Sequence, residues 1–251
     1  MSLYTSYGLV SHAKKALALD TKYMWGGLLR PITVQYVNTL TDFYKNSSGT
    51  GYTAARKKEL LALAGKGFYG VDCVGLIKSY YWSGKTDGGT GSPKYGAAGY
   101  PDVNANYMFA KAEKKGAIGT IPETPGVIVY SKTHPHVGIY IGNGRTIEST
   151  LGSRGDGVVE RDLDGFWEYW FECPYIDYGS LEPAQSKKRT FAYSAVVRSK
   201  PSSGAAAIGR YAPGNTVTVI SGSETADTAT GYTYVRIAGD REAWVVRSAL
   251  K

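Results

Sequence analysis

Cysteine, histidine and methionine are scarce in this 251-residue chain, which contains two, three and three of them. Two cysteines form at most one disulfide, so a scaffold held together by several disulfides is excluded. The spacings Cys-x-x-Cys and His-Glu-x-x-His, which are typical of zinc sites, do not occur. No apolar run approaches the roughly 18 residues of a membrane-spanning helix. We therefore expect no metal or other cofactor and no insertion into a membrane.

The chain also lacks a recognisable export signal. Residues 1–6 contain neither a basic segment nor a continuous apolar stretch, so we expect no signal peptide. A protein that acts outside the cell would then leave by another route, such as phage lysis, unless a signal has been removed.

Positive charge exceeds negative charge, and the net charge is +8, but the basic residues are spread along the chain. Because no basic arm is concentrated enough for nucleic acid, we expect no nucleic-acid partner. A diffuse positive charge suits an anionic polymer such as a bacterial cell wall, and it would serve solubility equally well. A hydrophobic content of 43% allows a substantial core.

The spacing of apolar residues divides the chain into a helical part, a strand-rich part and a small C-terminal module. Helical spacing predicts helices over 6–19, 32–45, 53–64 and 73–82, and one that Asp102 caps and that runs through Lys115. From Gly126 onward the period is two, which predicts antiparallel strands. We therefore expect an α+β domain over 1–178, a polar linker over 179–190 and a small all-β module over 191–251.

A thiol at the start of a predicted helix is the most informative feature of the chain. Asp72 is a good N-cap for the helix that begins at Cys73. A helix N-terminus favours the thiolate, the form that attacks a carbonyl carbon. A lone nucleophilic cysteine with a distant histidine is the minimal set of a cysteine hydrolase. A buried inert thiol is the alternative. If Cys73 is the nucleophile, Cys173 is a small buried apolar residue outside any disulfide.

Three histidines could supply the base. His12 lies in a predicted helix, where we expect a surface or packing role. His134 and His136 project to the same face of an extended segment, because side chains alternate along a strand. We favour His136, because Gly138 on its face leaves room for the helix that carries Cys73. We place His134 at the rim of the site.

The group that orients this histidine depends on the turn Gly142-Asn143-Gly144. A three-residue loop, with Gly144 in the left-handed region and a bulge, would pair Ile141 with Arg145 and set Gly138 opposite Glu148. Glu148 would then lie on the face of His136, within reach of the ring. A two-residue Asn-Gly turn would put Glu148 on the opposite face, and Ser149 would take its position. We favour the three-residue loop, with Glu148 as the third member of a catalytic triad.

A zinc site is the competing chemistry. It would be built from Cys73, His134, His136 and Cys173, and the missing zinc-site spacings argue against it.

Three motifs in a fixed order point to a family. They are Tyr23-Met24-Trp25-Gly26-Gly27, Asp72-Cys73-Val74-Gly75-Leu76 and the run from His136 to Gly142. Together they resemble the NlpC/p60 family of bacterial cell-wall cysteine peptidases, over most of residues 5–178. The resemblance implies a papain-like α+β fold, in which the cysteine opens a helix packed on an antiparallel sheet. It also implies cleavage of peptidoglycan stem peptides, often at the D-γ-glutamyl bond to a diamino acid.

The resemblance also implies roles for individual residues. Glu148, twelve residues after His136, matches the family's third polar residue, which is commonly histidine. Tyr23 matches a tyrosine that lines the site and helps to bind the oxyanion. Further candidates for oxyanion or substrate binding are Asp72, Trp25 and His134.

Three positions depart from the family's pattern. Val74 replaces a serine that in some members helps to bind a free stem-peptide amine, so recognition of that amine is not implied. Val127 replaces an aspartate that usually follows Pro-Gly. The spacer from Leu28 to Tyr69 is much longer than usual, and we expect it to build one wall of the groove.

The C-terminal module, residues 191–251, contains three short segments of interest. They are Val197-Arg198-Ser199-Lys200-Pro201, the run from Gly214 to Val219, and Ala243-Trp244-Val245. The module resembles a bacterial SH3-like cell-wall-binding domain, a small barrel. Its candidate wall-binding residues are Tyr211, Tyr232, Tyr234 and Trp244. A hydrolase fused to such a module, without a signal peptide, resembles a phage or prophage endolysin.

These features predict a cysteine endopeptidase that degrades peptidoglycan at the bacterial cell wall. Its catalytic residues are Cys73, His136 and Glu148, and we expect a monomer with peptidoglycan as its partner. Two alternatives stay open: an amidase that cuts between muramic acid and L-Ala, and an inactive protein that only binds the wall.

Overall fold

The computed structural model describes residues 4–83, 93–178, 187–219, 224–237 and 243–251. The chain divides into two compact units, Met1–Tyr178 and Gly179–Lys251. Each unit has its own buried apolar cluster. Within the described ranges, no helix combines the length and the hydropathy that crossing a membrane requires.

Five α-helices form in the described part of the first unit, and each begins after a side chain that can cap it. They are α1 Ser6–Leu17, α2 Val34–Phe43, α3 Ala54–Ala62, α4 Cys73–Trp82 and α5 Ala105–Lys111. Their N-caps are Thr5, Thr33, Thr53, Asp72 and Asn104, and each side chain accepts a hydrogen bond from a backbone N–H three residues on. The first four predicted helices are confirmed, with ends that differ by one or two residues.

The fifth helix differs from its prediction at both ends. Asn104 caps it, not Asp102, and it ends at Lys111. Asp102 instead forms an ion pair with the ammonium group of Lys78, a buried residue of α4. A buried ammonium needs a counter-ion more than a helix needs this one cap, because unpaired buried charge is costly. Lys115, the predicted end, begins a strand.

Two sheets complete the first unit, and α4 packs between them. The larger sheet is antiparallel, with the order β4–β9–β5–β6–β7–β8. Its strands are β4 Lys115–Ala117, β5 Ile128–Ser131, β6 His136–Gly142, β7 Arg145–Thr150, β8 Gly157–Asp162 and β9 Tyr169–Phe171. The smaller sheet has the order β1–β3–β2, with strands β1 Thr21–Tyr23, β2 Leu28–Pro31 and β3 Tyr69–Val71. The predicted α+β class is confirmed.

The turn between β6 and β7 combines the two alternatives from the sequence. Gly142 pairs with Arg145, so the turn has two residues, and Asn143 and Gly144 both have positive φ. The favoured three-residue loop was therefore wrong. A β-bulge at Ile141 adds one residue to β6, after which Tyr140 pairs with Thr146 and Ile139 with Ile147. One step further along, this register sets Gly138 opposite Glu148, because a bulge shifts pairing by one residue.

The long spacer forms a small substructure with its own core. Helices α2 and α3 contact each other, and the core consists of Met24, Ile32, Val37 and Leu60. The spacer leaves and rejoins the smaller sheet at neighbouring points, because the N–H of Ile32 donates to the carbonyl of Phe68 at 2.7 Å.

The second unit is an antiparallel sheet of seven strands in its described residues. The order is β10–β13–β15–β16–β11–β12, and β14 pairs with β15. The strands are β10 Lys187–Thr190, β11 Ala195–Arg198, β12 Ala207–Tyr211, β13 Thr216–Val219, β14 Thr225–Asp227, β15 Tyr232–Ile237 and β16 Ala243–Val246. Across the described residues β10 and β12 do not pair with each other, so the predicted closed barrel is not shown.

The predicted linker is shorter than expected at its C-terminal end. Residues 187–190 form β10 and pair with β13, because their backbone groups complete the edge of the sheet. Residues 179–186 of the predicted linker lie outside the described residues.

Candidate active site

The Cys73 sulfur is positioned by the start of α4. Asp72 has extended backbone dihedrals (φ −102°, ψ 179°), and its carboxylate accepts hydrogen bonds from the N–H of Gly75 and, at 2.6 Å, of Gly26. Burial raises the pKa of Asp72, while these two backbone donors act to lower it. Both carboxylate oxygens are therefore held by backbone donors, and Asp72 acts as a cap beside the thiol.

Close backbone packing fixes the orientation of this helix start. A Cβ atom at Gly75 would lie 1.8 Å from the carbonyl oxygen of Gly27. The same carbonyl accepts a hydrogen bond from the N–H of Asp72 at 3.2 Å. Only glycine at position 75 allows the helix to approach the turn after Tyr23 this closely.

His136, the first residue of β6, lies between a carboxylate and the thiol. Its Nε2 is 2.6 Å from Oε2 of Glu148, and Cys73 is a second hydrogen-bond partner of the ring. Since Nε2 is occupied by Glu148, Nδ1 is the nitrogen left for the sulfur. Burial lowers the pKa of His136, but the charge and hydrogen bond of Cys73, together with Glu148, raise it to about 9. The ring is therefore an imidazolium at neutral pH when the thiol is ionised.

Glu148 is completely buried and is satisfied on both oxygens. Oε2 contacts His136, and Oε1 accepts two hydrogen bonds from the guanidinium of Arg154, at 2.7 and 3.1 Å. Burial raises the pKa of this carboxyl, and the hydrogen bonds from His136 and Arg154 outweigh that effect and lower it. Arg154 also donates to Asp164 at 2.9 Å. Glu148 is therefore held as a carboxylate.

Ser149, the other candidate for the third position, has a different role. Its hydroxyl donates to the carbonyl oxygen of Val71 at 2.8 Å, in a fully buried contact. It thus ties β7 to the end of β3, one residue before the helix cap.

An aromatic pair covers the outer face of the histidine. Trp167 stacks on His136 with 5.6 Å between ring centroids and an angle of 19°. Phe166 lies edge-on to His136 and stacks on His134 at 5.7 Å. A Cβ atom at Gly138 would lie 2.9 Å from the Trp167 ring. The room beside Gly138 is therefore filled by Trp167, and the prediction that it receives the helix carrying Cys73 was wrong.

Tyr23 completes the surroundings of the sulfur. It ends β1, is 9% exposed, and its hydroxyl is a hydrogen-bond partner of Cys73. Burial raises the pKa of Tyr23, and the negative charges of Cys73 and Asp72 raise it further. The phenol therefore keeps its proton and acts as a donor.

Trp25 and His134 contact other aromatic residues. The Trp25 carbonyl accepts a hydrogen bond from Tyr52 at 2.7 Å, and its ring lies edge-on to Tyr44. His134 is exposed in the turn before β6. Their assignment to substrate binding stays a prediction.

The competing zinc set is not assembled. Cys173 is buried, and the hydroxyls of Tyr81 and Tyr100 contact its sulfur at 3.5 and 3.4 Å. Burial raises its pKa. In the part of the chain that is described, no three His, Cys, Asp or Glu side chains are grouped so that they could hold a metal ion.

Several residues around the site carry no sequence signal. Arg154 and Asp156 lie in a glycine-rich turn, Arg56 lies on a polar helix, and Trp167 follows a strand. Neither the helical nor the strand period marks them. The available signal was the position of Arg154, a charged residue in a short turn that follows the strand of Glu148.

The aromatic candidates of the second unit differ in exposure. Tyr234 is 1% exposed and Trp244 is 8% exposed, so both are packed inside the unit. Tyr211 stacks on Phe191 at 4.9 Å. Tyr232 is 52% exposed, and it lines an open cavity of about 800 Å³ that also contains Arg189 and Arg247.

Comparison with known proteins gives distant structural likenesses. No family model matches the chain, and no curated protein sequence matches it. The P60 domain of an antigen from M. avium subspecies paratuberculosis is 19% identical, with 68% of this chain and 99% of that chain covered and a TM-score of 0.37. Peptidoglycan hydrolase RipB from Mycobacterium tuberculosis is 18% identical, with 69% and 67% covered and a TM-score of 0.37. The NlpC/p60 domain of peptidoglycan hydrolase SagA is 15% identical, with 67% and 98% covered and a TM-score of 0.35.

Proposed function

We propose that the chain is a cysteine hydrolase whose nucleophile is Cys73. The observation that carries this proposal is the position of His136, held between the Cys73 sulfur and the buried carboxylate of Glu148. A thiol, an imidazole that ionises it and a group that orients the imidazole are the parts that nucleophilic cysteine catalysis requires.

In the first half of the reaction, the Cys73 thiolate attacks an amide carbonyl carbon and forms a C–S bond. The electron pair of the C=O bond moves to oxygen, and the oxyanion accepts hydrogen bonds from the Cys73 backbone N–H and the Tyr23 hydroxyl. The proton on Nδ1 of His136 then passes to the amide nitrogen, the C–N bond breaks, and the amine leaves. The product is a thioester on Cys73.

The second half uses the same residues in the opposite direction. Neutral His136 takes a proton from water, whose oxygen attacks the thioester carbonyl. The C–S bond breaks, the thiolate is restored, and the acid product leaves, while His136 is again an imidazolium. Glu148 holds the ring in one orientation throughout and stabilises its charged form.

We infer that the substrate is a peptidoglycan stem peptide, cleaved at a D-γ-glutamyl bond to a diamino acid. The resemblance of the motifs around Tyr23, Cys73 and His136 supports this substrate class, and the net charge of +8 suits an anionic polymer. We propose that the protein acts as a monomer at the bacterial cell wall, as an endolysin.

We propose that the second unit binds the wall. The open cavity of this unit is lined by the exposed ring of Tyr232 and by Arg189, Arg247 and Glu224. The lining combines a net positive charge with an aromatic surface. Binding there would raise the effective concentration of substrate at the active site without new contacts to the scissile bond.

The test is digestion of purified walls by the wild type, C73A and C173S, with mass spectrometry of the released fragments. We expect C73A to lose lysis and keep wall binding, and C173S, the matched change at the other cysteine, to keep both. Full lysis by C73A would refute the nucleophile. Fragments cut between muramic acid and L-Ala would identify an amidase, and wall binding without cleavage by the wild type would leave only a binding protein.

A further inference from the structure

The backbone of Tyr23 lies at an open edge of its sheet. Among the described residues β1 pairs with one strand, β3, in parallel. The N–H of Met24 donates to the carbonyl of Val71 at 3.0 Å. Because successive residues of a strand alternate, the N–H and C=O of Tyr23 point away from β3. At a sheet edge these groups need partners from elsewhere.

Two charged side chains supply those partners. The N–H of Tyr23 donates to Oδ1 of Asp156 at 3.0 Å, and its carbonyl oxygen accepts from Nη2 of Arg56 at 2.7 Å. Arg56 also binds Asp156 with both terminal nitrogens, at 2.6 and 3.0 Å. The result is a closed ring of hydrogen bonds that takes the place of a neighbouring strand.

Neither side chain is free to move independently. Arg56 is 9% exposed and also donates to Glu59 at 2.8 Å, and Lys22 donates to Asp156 at 2.9 Å. Burial raises the pKa of Asp156, but the hydrogen bonds from Arg56, Lys22 and the Tyr23 N–H outweigh it and lower the pKa. Arg56 and Asp156, which together we call the clamp, therefore both stay charged at neutral pH. A bidentate pair of this kind holds its two side chains in one relative orientation.

The clamp joins three parts of the fold. Arg56 lies on α3 of the long spacer, and Asp156 lies in the turn between β7 and β8. The same turn carries Arg154, which binds Glu148. This turn therefore contacts both parts of the site: Arg154 binds Glu148, and Asp156 binds the backbone of Tyr23.

We propose that Arg56, through Asp156 and the Tyr23 backbone, is a positioning residue that sets the Tyr23 hydroxyl against the reacting sulfur and the oxyanion. The long spacer is then a working part of the active site as well as a wall of its groove. This inference rests on the proposed function for its effect on turnover, but the contact between Tyr23 and Cys73 can be tested without it.

The experiment is a double-mutant cycle of Y23F and R56M, with K58M as the matched control. Lys58 is an exposed cation on the same helix. The first readout is the rate at which iodoacetamide alkylates Cys73 at pH 7, followed by mass spectrometry. We expect about a threefold or larger slowing in Y23F, because the thiolate loses a hydrogen-bond donor. R56M should reproduce this slowing, the double variant should slow no further, and K58M should match the wild type.

The second readout is the hydrolysis of a soluble stem peptide. We expect about a tenfold loss of kcat in R56M and in Y23F, with KM within twofold of the wild type and no further loss in the double variant. R56K keeps a cation beside Asp156, but its shorter side chain carries one nitrogen in place of the two that bind the carboxylate, so the two-point geometry that fixes the Tyr23 carbonyl is lost. It should restore the melting temperature and leave kcat low, which a purely structural role would not do.

Several results would overturn the inference. They are a kcat within twofold of the wild type in R56M, a rise in KM in place of the fall in kcat, full recovery of kcat in R56K, and losses that multiply in the double variant. If R56M does not fold, R56K and its double variant with Y23F decide by the same criteria. If the wild type is alkylated at Cys73 but cleaves no peptide, only the proposed function is refuted. The alkylation rates of the Y23F and R56M cycle would still decide the role of Arg56.

Discussion

Glu148 is a fully buried carboxylate next to His136, and something must keep it charged. Glu148 has lost all contact with solvent, and burial alone would favour its neutral form. Arg154 stabilises the carboxylate by donating two hydrogen bonds to one of its oxygens. The ring of Phe166 covers the guanidinium, whose Cζ lies 4.0 Å from the ring centroid. The histidine therefore faces a carboxylate whose charge is already balanced on its far side. This carboxylate keeps a proton on Nε2, which leaves Nδ1 as the nitrogen that can gain or lose one.

The raised pKa of His136 gives a pH dependence with a defined sign. As pH rises through about 9, the imidazolium loses its proton and the amine can no longer be protonated, so we expect kcat/KM to fall there. In E148Q the negative charge beside the ring is gone, which lowers the pKa of His136, so the fall should move to lower pH by on the order of one unit. The measurement is kcat/KM on a soluble stem peptide between pH 5 and about 10.

A matched variant on the neighbouring strand controls for the loss of a charge. Glu160 on β8 pairs with Arg145 near the surface, and E160Q should leave the alkaline limb where it is. An unmoved limb in E148Q would contradict the role of Glu148. The stability of the protein depends on pH in the same direction. Because the pKa of His136 is raised in the folded state, its protonation adds to the free energy of unfolding. This contribution is full below about pH 6.5 and is lost as pH rises through about 9.

At this scale the sequence was informative for residues whose chemistry depends on a local pattern. Asp72 and Cys73 are an example, because a helix cap followed directly by a thiol can be recognised from two adjacent residues in the sequence. Arg154 was not predictable, because its place beside Glu148 depends on how a six-residue turn folds back over β7. No period or propensity encodes that path.

Helix α4 is the element on which the site depends, since it carries the thiol on its first residue. All ten of its residues are buried, so its position is set by packing on every side. The tightest contact is between Gly75 and the carbonyl of Gly27, where a Cβ atom has no room.

We expect G75A to misplace this helix. The new methyl group would lie 1.8 Å from a backbone oxygen, which cannot move aside as a side chain can, so the free energy of unfolding should fall by about 3 kcal/mol. G119A is the matched control, because Gly119 has open space at its Cβ position. Urea denaturation of both variants gives the comparison, and a G75A protein as stable as G119A would mean that the helix can shift without loss.

The elements also show where pattern reading stops. Helix spans followed from apolar spacing and from caps, and the α4 prediction of 73–82 matches the structure. The β6–β7 register that sets Gly138 opposite Glu148 followed from the sequence, but the turn that produces it did not: the turn has two residues, and a bulge at Ile141 supplies the offset. A bulge is decided by cross-strand packing, which a single strand's sequence does not contain.

The whole molecule consists of two units with separate apolar clusters and a positive net charge. If a diffuse positive charge draws the protein to an anionic wall, salt should weaken that attraction. Raising the salt concentration from about 50 mM to about 500 mM should lower wall binding and wall lysis severalfold. Hydrolysis of a small soluble peptide should change by less than twofold, because its chemistry is confined to buried groups. Equal salt sensitivity in both assays would remove charge as the reason for wall binding.

For the whole molecule, the sequence predicted the fold class more reliably than it predicted whether the C-terminal sheet closes into a barrel. A change of apolar period near Gly126 separates helices from strands, and the mixed class followed from it. The C-terminal strands were visible as short segments between turn residues, but whether their ends meet depends on pairing partners far apart in the chain. The resemblance predicts a barrel, whereas β10 and β12 do not pair across the residues that the structure describes.

The spacer that departs at Ile32 and returns at Phe68 has a consequence for anyone who redesigns this chain. Its two ends are joined by one hydrogen bond, so it looks like a cassette that could be cut out and replaced by a tight loop. Yet the cassette carries the guanidinium of Arg56 to the backbone carbonyl of Tyr23, whose hydroxyl contacts Cys73. A trimmed version would need a substitute cation reaching the same carbonyl, and a transplanted version would need an aspartate waiting for it on the recipient scaffold.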